Sequence, residues 1–125
     1  MIALDTSSLV HYLRGSRGKD VEAVDIALAQ NQACLPPVVL SEVLSDPQLP
    51  RPLEEVLLRI PTLDLPPGYW ERTGRLRARI IGAGHKAKLA DTLIAQSCLD
   101  HDVPLITRDR DFHHFAAAGL RILSD

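Results

Sequence analysis

Five carboxylates stand where chains of this pattern present side chains to a ligand. Asp5 ends the apolar run Ile2-Ala3-Leu4, Glu42 lies in Leu40-Ser41-Glu42-Val43, and Asp91 opens a late helix; Asp109 and Asp111 follow Val103-Pro104-Leu105-Ile106. One carboxylate at a strand end or in a first helical turn is explained by capping and by the helix dipole. Several meeting at one edge are not. Like charges within a few Å raise each other's pKa and destabilise the fold unless a cation sits among them. Ligands that offer only oxygen select hard Mg²⁺ or Mn²⁺ rather than zinc. Such an ion suits phosphate chemistry, because it lowers the pKa of a bound water and neutralises charge in an in-line displacement.

The elements that must position these groups read as strands alternating with helices. Ile2 to Leu4 feeds a helix that starts at the capping hydroxyls Thr6, Ser7 and Ser8 and stops at Gly15. A helix spans Lys19 to Asn31, followed by a strand at Ala33-Cys34-Leu35 and a helix from Val38 to Ser45 behind Pro36 and Pro37. Leu53 to Ile60 is helical, Thr62 to Leu65 a short strand, and Pro66-Pro67-Gly68 a turn into a long helix that ends at Gly82. Strands are expected at Val103–Ile106 and Leu120–Leu123, with a short helix from Asp109 to Phe115 between them. The alternation predicts a single α/β domain over residues 1–125, a three-layer α/β/α sandwich with a mainly parallel central sheet. Ligands of such sheets sit beyond the carboxyl ends of the strands, where Asp5 and Asp109 stand.

Composition narrows the class. With 125 residues, 46% hydrophobic and 24% charged, the chain can bury about two thirds of its surface and needs no staples. Cys34 and Cys98 are too few for a disulfide scaffold and have no C-x-x-C spacing, so buried inert thiols in a reducing compartment are expected. The start MIALDTSSLV has no basic segment and carries Asp5, and no apolar run approaches membrane-spanning length; a cytoplasmic protein with no membrane partner is expected. A haloacid-dehalogenase phosphatase wants a second aspartate where Ser7 stands, and a receiver domain wants better than Leu63-Asp64-Leu65 at its middle strand. No G-x-x-x-x-G-K-[ST] loop is present, which excludes nucleotide hydrolysis of that type.

The order of the pieces resembles the PIN-domain ribonucleases, most closely the VapC-type toxins of toxin–antitoxin pairs. The resemblance is carried by Leu4-Asp5-Thr6-Ser7, Leu40-Ser41-Glu42-Val43, Leu89-Ala90-Asp91-Thr92-Leu93-Ile94-Ala95 and Leu105-Ile106-Thr107-Arg108-Asp109-Arg110-Asp111-Phe112, and it spans nearly the whole chain. It implies a metal-dependent endoribonuclease whose site is Asp5, Glu42, Asp91 and Asp109, all four both catalytic and ligands to one or two Mg²⁺ or Mn²⁺ ions. It also implies products ending in a 3′-hydroxyl and a 5′-phosphate, a cognate antitoxin and a homodimer. Asp111 matches a position that only some members use and is expected to support the ligands. The alternative is a PIN-fold module that has lost catalysis and binds RNA or protein.

The charge distribution agrees with an RNA substrate. Setting aside the four candidate carboxylates turns the formal −2 of the chain into +2 for the rest. Lys86, Lys88, Arg108 and Arg110 flank the acidic motifs and are expected to hold RNA phosphates; Arg72, Arg75 and Arg79 form a stripe that either does the same or is a solvated face. Thr6, Ser8 and Thr107 can hydrogen-bond ligand carboxylates. Tyr69 and Trp70 are read as core or dimer contacts before base-stacking groups, and His11, His85, His101, His113 and His114 as surface residues without ligand spacing.

Overall fold

The computed structural model describes residues 1–123. Three short parallel strands lie at its centre in the order β2-β1-β3. These are β1 (Ile2–Leu4), β2 (Ala33–Cys34) and β3 (Leu105–Ile106). β1 pairs Ile2 with Ala33 and Ala3 with Cys34 on one side, and Ala3 with Leu105 and Leu4 with Ile106 on the other. Single parallel bridges, Leu35 to Thr62 and Leu105 to Ile122, widen the sheet at both edges. Burial on both faces accounts for the unbroken apolar runs, since a parallel sheet covered by helices shows no alternation.

The helices are α1 (Thr6–Leu13), α2 (Lys19–Ala29), α3 (Pro37–Leu44), α4 (Arg51–Leu58), α5 (Tyr69–Gly82) and α6 (Leu89–His101), followed by a 3-10 helix over Arg110–Ala118. Prolines open α3 and α4, where the missing N–H costs nothing. α1 packs on α2 and α3, and α6 packs on both α3 and α5. α6 is correspondingly buried along most of its length, from Thr92 through Cys98 apart from Leu93. Leu4, Leu9, Leu35, Leu57, Ile94, Leu105, Ile106, Phe112 and Phe115 fill the core. The sheet is thus parallel and flanked by helices, as the α/β pattern predicts.

Several boundaries differ from the sequence reading. The strand expected over Thr62–Leu65 is one bridge at Thr62, because Pro61 has no N–H and Pro66 and Pro67 end the segment; Leu35 N–H bonds Pro61 O at 2.8 Å and Leu63 N–H bonds Leu35 O at 2.8 Å. The strand expected over Leu120–Leu123 is likewise one bridge at Ile122. The helix behind Asp109 is 3-10 rather than α and runs on to Ala118, where Gly119 turns into the left-handed region. α6 starts at Leu89, so Asp91 is its third residue rather than its first.

Cys34 and Cys98 are both free and buried. Burial pushes the Cys34 thiol up to about 11 and raises that of Cys98 as well, which makes both poor nucleophiles. Among the described residues, no helix is long and apolar enough to cross a membrane.

Candidate active site

β1 delivers Asp5 to the carboxyl edge of the sheet. Its backbone N–H still bonds Ile106 O at 3.0 Å, while its carbonyl accepts the first turn of α1 from Leu9 N–H at 3.0 Å. Asp5 is therefore strand end and helix cap at once, and only 4% exposed. Two hydroxyls meet on its Oδ2, from Thr107 at 2.7 Å and Ser7 at 2.8 Å. Burial raises the Asp5 pKa; the hydrogen bonds from Thr107, Ser7 and the Thr6 N–H oppose this, and the charge of Asp109 adds to it.

Asp109 follows β3 and caps the 3-10 helix, accepting from Asp111 N–H at 2.9 Å through Oδ1. Its own N–H bonds the Thr107 hydroxyl at 3.0 Å, so one threonine joins the two strand-end aspartates. Asp111 contributes that backbone N–H. Glu42, exposed on α3, takes a 2.7 Å hydrogen bond at Oε1 from the Thr6 hydroxyl.

Asp91, half-buried on the first turn of α6, is the most perturbed carboxylate. Its pKa is pushed up to about 6, first by burial and then by the charges of Asp5 and Asp109, with Glu42 adding and Lys88 opposing. The four candidate carboxylates thus share one electrostatic neighbourhood. Among the described residues, however, no three His, Cys, Asp or Glu side chains are gathered closely enough to hold an ion together. By donor type the set fits a hard divalent ion: carboxylates, hydroxyl support and no nitrogen or sulfur.

The basic residues divide. Lys86, Lys88 and Arg110 are exposed. Arg108 is engaged: its Nε reaches Asp20 Oδ2 at 2.8 Å and its Nη2 reaches Oδ1 at 3.0 Å. Arg72 is engaged in the same way with Asp100, at 3.0 Å and 2.6 Å, and Arg79 bonds Ala117 O at 3.2 Å. The α5 stripe is therefore partly a set of struts. Tyr69 is buried and donates to Leu93 O at 2.6 Å, whereas Trp70 is 64% exposed and lies edge-on to it. His11 and His101 donate to backbone carbonyls, and His85 stacks on His114.

Ser7 and Asp20 were not among the candidate site residues of the sequence reading. Ser7 carries a local signal, standing two residues beyond Asp5. Asp20 carries none, because its partner Arg108 is 88 residues away. Ser8, a candidate support for the ligands, is fully buried, and its hydroxyl bonds none of the four carboxylates.

The PIN domain family model matches residues 2–118. The chain belongs to the PIN-domain family. Two solved structures share this PIN fold. The structure of VapBC2 from Rickettsia felis, bound to a DNA fragment from its promoter, has a chain 19% identical over 98% of both chains, with a TM-score of 0.74. FitAcB from Neisseria gonorrhoeae has one 23% identical, over 99% of this chain and 97% of that one, with a TM-score of 0.71. No curated protein matches this PIN domain.

Proposed function

We propose that this PIN domain is a metal-dependent endoribonuclease and the toxin half of a VapBC-type toxin–antitoxin pair. The observation that carries the reading is the geometry at the carboxyl edge of the sheet, where the Thr107 hydroxyl joins Asp5 to Asp109 and Thr6 tethers Glu42; the Asp91 pKa, pushed up to about 6 by burial and then by the charges of Asp5, Asp109 and Glu42, agrees with it. A group that titrates near neutrality in a cluster of its own charge is a functional-site signature. Asp5, Glu42, Asp91 and Asp109 would hold one or two Mg²⁺ or Mn²⁺ ions. Bound there, an ion supplies an activated water and neutralises charge on the phosphate.

The residues of the chain have distinct parts. Asp5 is the fixed member, pinned at Oδ2 by Ser7 and Thr107. Asp109 is held by its cap and by Thr107. Glu42, exposed and tethered at Oε1 by Thr6, orients the attacking water. Lys86, Lys88 and Arg110 hold the strand by its phosphates, as a polyanion requires. Arg108, expected to do likewise, is instead held in its pair with Asp20. Similarity to a VapBC2 structure supports a cognate antitoxin as partner. A homodimer in the cytoplasm completes the proposal.

Purified protein incubated with single-stranded RNA and Mg²⁺ tests this. Fragments ending in a 5′-phosphate and a 3′-hydroxyl are expected, lost on chelation and in Asp91→Asn. Fragments ending in a 2′,3′-cyclic phosphate contradict the reading, since water is then not the nucleophile. RNA binding without cleavage in Mg²⁺ or Mn²⁺ would favour a non-catalytic binding module.

A further inference from the structure

Behind the Thr107 hydroxyl lies a second feature. A cavity of about 350 Å³ is lined by Arg17, Gly18, Lys19, Asp20, Thr107, Arg108 and Arg110. Four cationic side chains face one carboxylate, and that carboxylate is already neutralised: Asp20 is 6% exposed and both its oxygens are taken by Arg108. Burial pushes the Asp20 pKa up, but the hydrogen bonds and charge of Arg108 outweigh it and hold the carboxyl below its ordinary value. The remaining cations, Arg17, Lys19 and Arg110, are exposed and have no carboxylate partner among the described residues.

The backbone is shaped to suit. α2 begins at Lys19 with no side-chain cap, and Gly18, Lys19 and Asp20 line the cavity, so the positive end of the helix dipole lies at its wall. Gly18, just before it, has φ +151, and a Cβ there would meet Asp20 Oδ1 at 2.6 Å and Arg108 Nη2 at 3.0 Å. Glycine at this position lets the Asp20–Arg108 pair close beneath the cavity floor. Arg108 also reaches Arg17 O at 3.4 Å, which ties the loop before α2 to the segment behind β3.

We propose that this cavity is a phosphate subsite that grips the RNA backbone beside the carboxylate cluster, with Arg17, Lys19 and Arg110 holding the phosphate and the Asp20–Arg108 pair fixing the wall behind it. The proposal rests on the ribonuclease reading for its choice of ligand and shares Arg110 with it, but it adds Arg17, Lys19 and a place that reading does not use. Thr107 sets the relation between the two: it lines the cavity and donates to Asp5 Oδ2, so an RNA phosphate held there lies one side chain away from the reacting edge. Interactions of this kind fix the register of a strand and carry no base information. The subsite therefore acts on all sequences alike. Arg108 changes role, from phosphate ligand to the strut that keeps the cavity open.

The test is binding of a fluorescein-labelled, mixed-sequence single-stranded RNA, followed by anisotropy across a salt titration in Ca²⁺ and in an Asp91→Asn background that blocks cleavage. Arg17→Ala/Lys19→Ala is compared with Arg110→Ala and with two controls away from the cavity, Arg59→Ala at the end of α4, matched in charge to Arg110→Ala, and Arg51→Ala/Arg59→Ala, matched to the double variant. For single strands the slope of log K against log salt changes by about 0.7 for each phosphate that the protein no longer neutralises. The double variant should bind about tenfold more weakly at low salt with a slope flatter by roughly 0.7 to 1.4, Arg110→Ala should flatten it by about half as much, and the controls should match the parent. Affinity and slope equal to the matched control in both variants overturn the subsite. If the parent cleaves RNA and the variants still bind like their controls, the subsite falls and the nuclease reading stands. If the variants lose binding while the parent never cleaves, the subsite stands and the nuclease reading falls.

Discussion

Thr107 and Asp5 are 102 residues apart in sequence, and the threonine hydroxyl donates a 2.7 Å hydrogen bond to the aspartate Oδ2. The same hydroxyl oxygen accepts Asp109 N–H at 3.0 Å. β1 and β3 are neighbours in the sheet, so residues just beyond their carboxyl ends fall side by side. One hydroxyl thereby stabilises the ionised form of a buried carboxylate and fixes the backbone of a second.

Thr107→Val keeps the shape of this side chain and removes both bonds. The variant should lose about 1.5–3 kcal/mol of stability, because a hydrogen bond to a buried charged group goes and the half-buried Asp109 N–H loses its partner. The Asp5 pKa, already raised by burial, should rise further. Urea unfolding and a carboxyl-carbon NMR titration measure the two effects, and Thr107→Ser should rescue both.

Asp91 makes the metal-free protein sensitive to pH. Its folded pKa, about 6, lies above the ordinary value of 3.8, so the folded state holds the proton more tightly than the unfolded state between these values. The stability it contributes is complete below about pH 4 and is lost as pH rises through about 6. Asp91→Asn mimics the protonated form. In chelator, parent and variant should unfold at similar urea concentrations near pH 4, and the variant should become the more stable of the two as pH passes about 6. A gap that stays constant with pH would show that Asp91 is not perturbed.

The Asp20–Arg108 pair behaves in the opposite sense. Asp20 is held below its ordinary pKa, so its contribution is present above about pH 4 and lost as pH falls below that value. Arg108→Ala leaves the buried carboxylate without its partner and should lower the urea midpoint at neutral pH. Arg108→Ala/Asp20→Asn should recover part of that loss, because the stranded charge is gone. No recovery would mean that the pair is not what stabilises this wall.

Sequence order made the fold class and the candidate carboxylates legible, because a strand-end aspartate and a helix-borne acid keep their places in the chain. Asp5 and Asp109 followed from apolar runs of four residues or fewer. The lateral relations were less visible. That Thr6 bonds Glu42, or that Arg108 spends its guanidinium on Asp20, depends on which helices lie side by side. Strand lengths were overread at Thr62–Leu65 and Leu120–Leu123, since propensity marks an extended segment and not the number of its partners. Ser7 reads from its position as a cap for α1, yet its hydroxyl turns back to Asp5.

The central claim is that Asp5, Glu42, Asp91 and Asp109 act together as one cation site, and calorimetric titration of the purified protein with Mn²⁺ tests it most directly. Binding should release protons near pH 6, because Asp91 must ionise fully to meet the ion. Asp5→Asn, Asp91→Asn and Asp109→Asn should each weaken binding by tenfold or more, and Glu42→Gln should weaken it less, since that carboxylate is exposed and tethered to Thr6. Mn²⁺ affinity unchanged in all four variants, or no Mn²⁺ binding by the parent at millimolar concentration, would contradict the account.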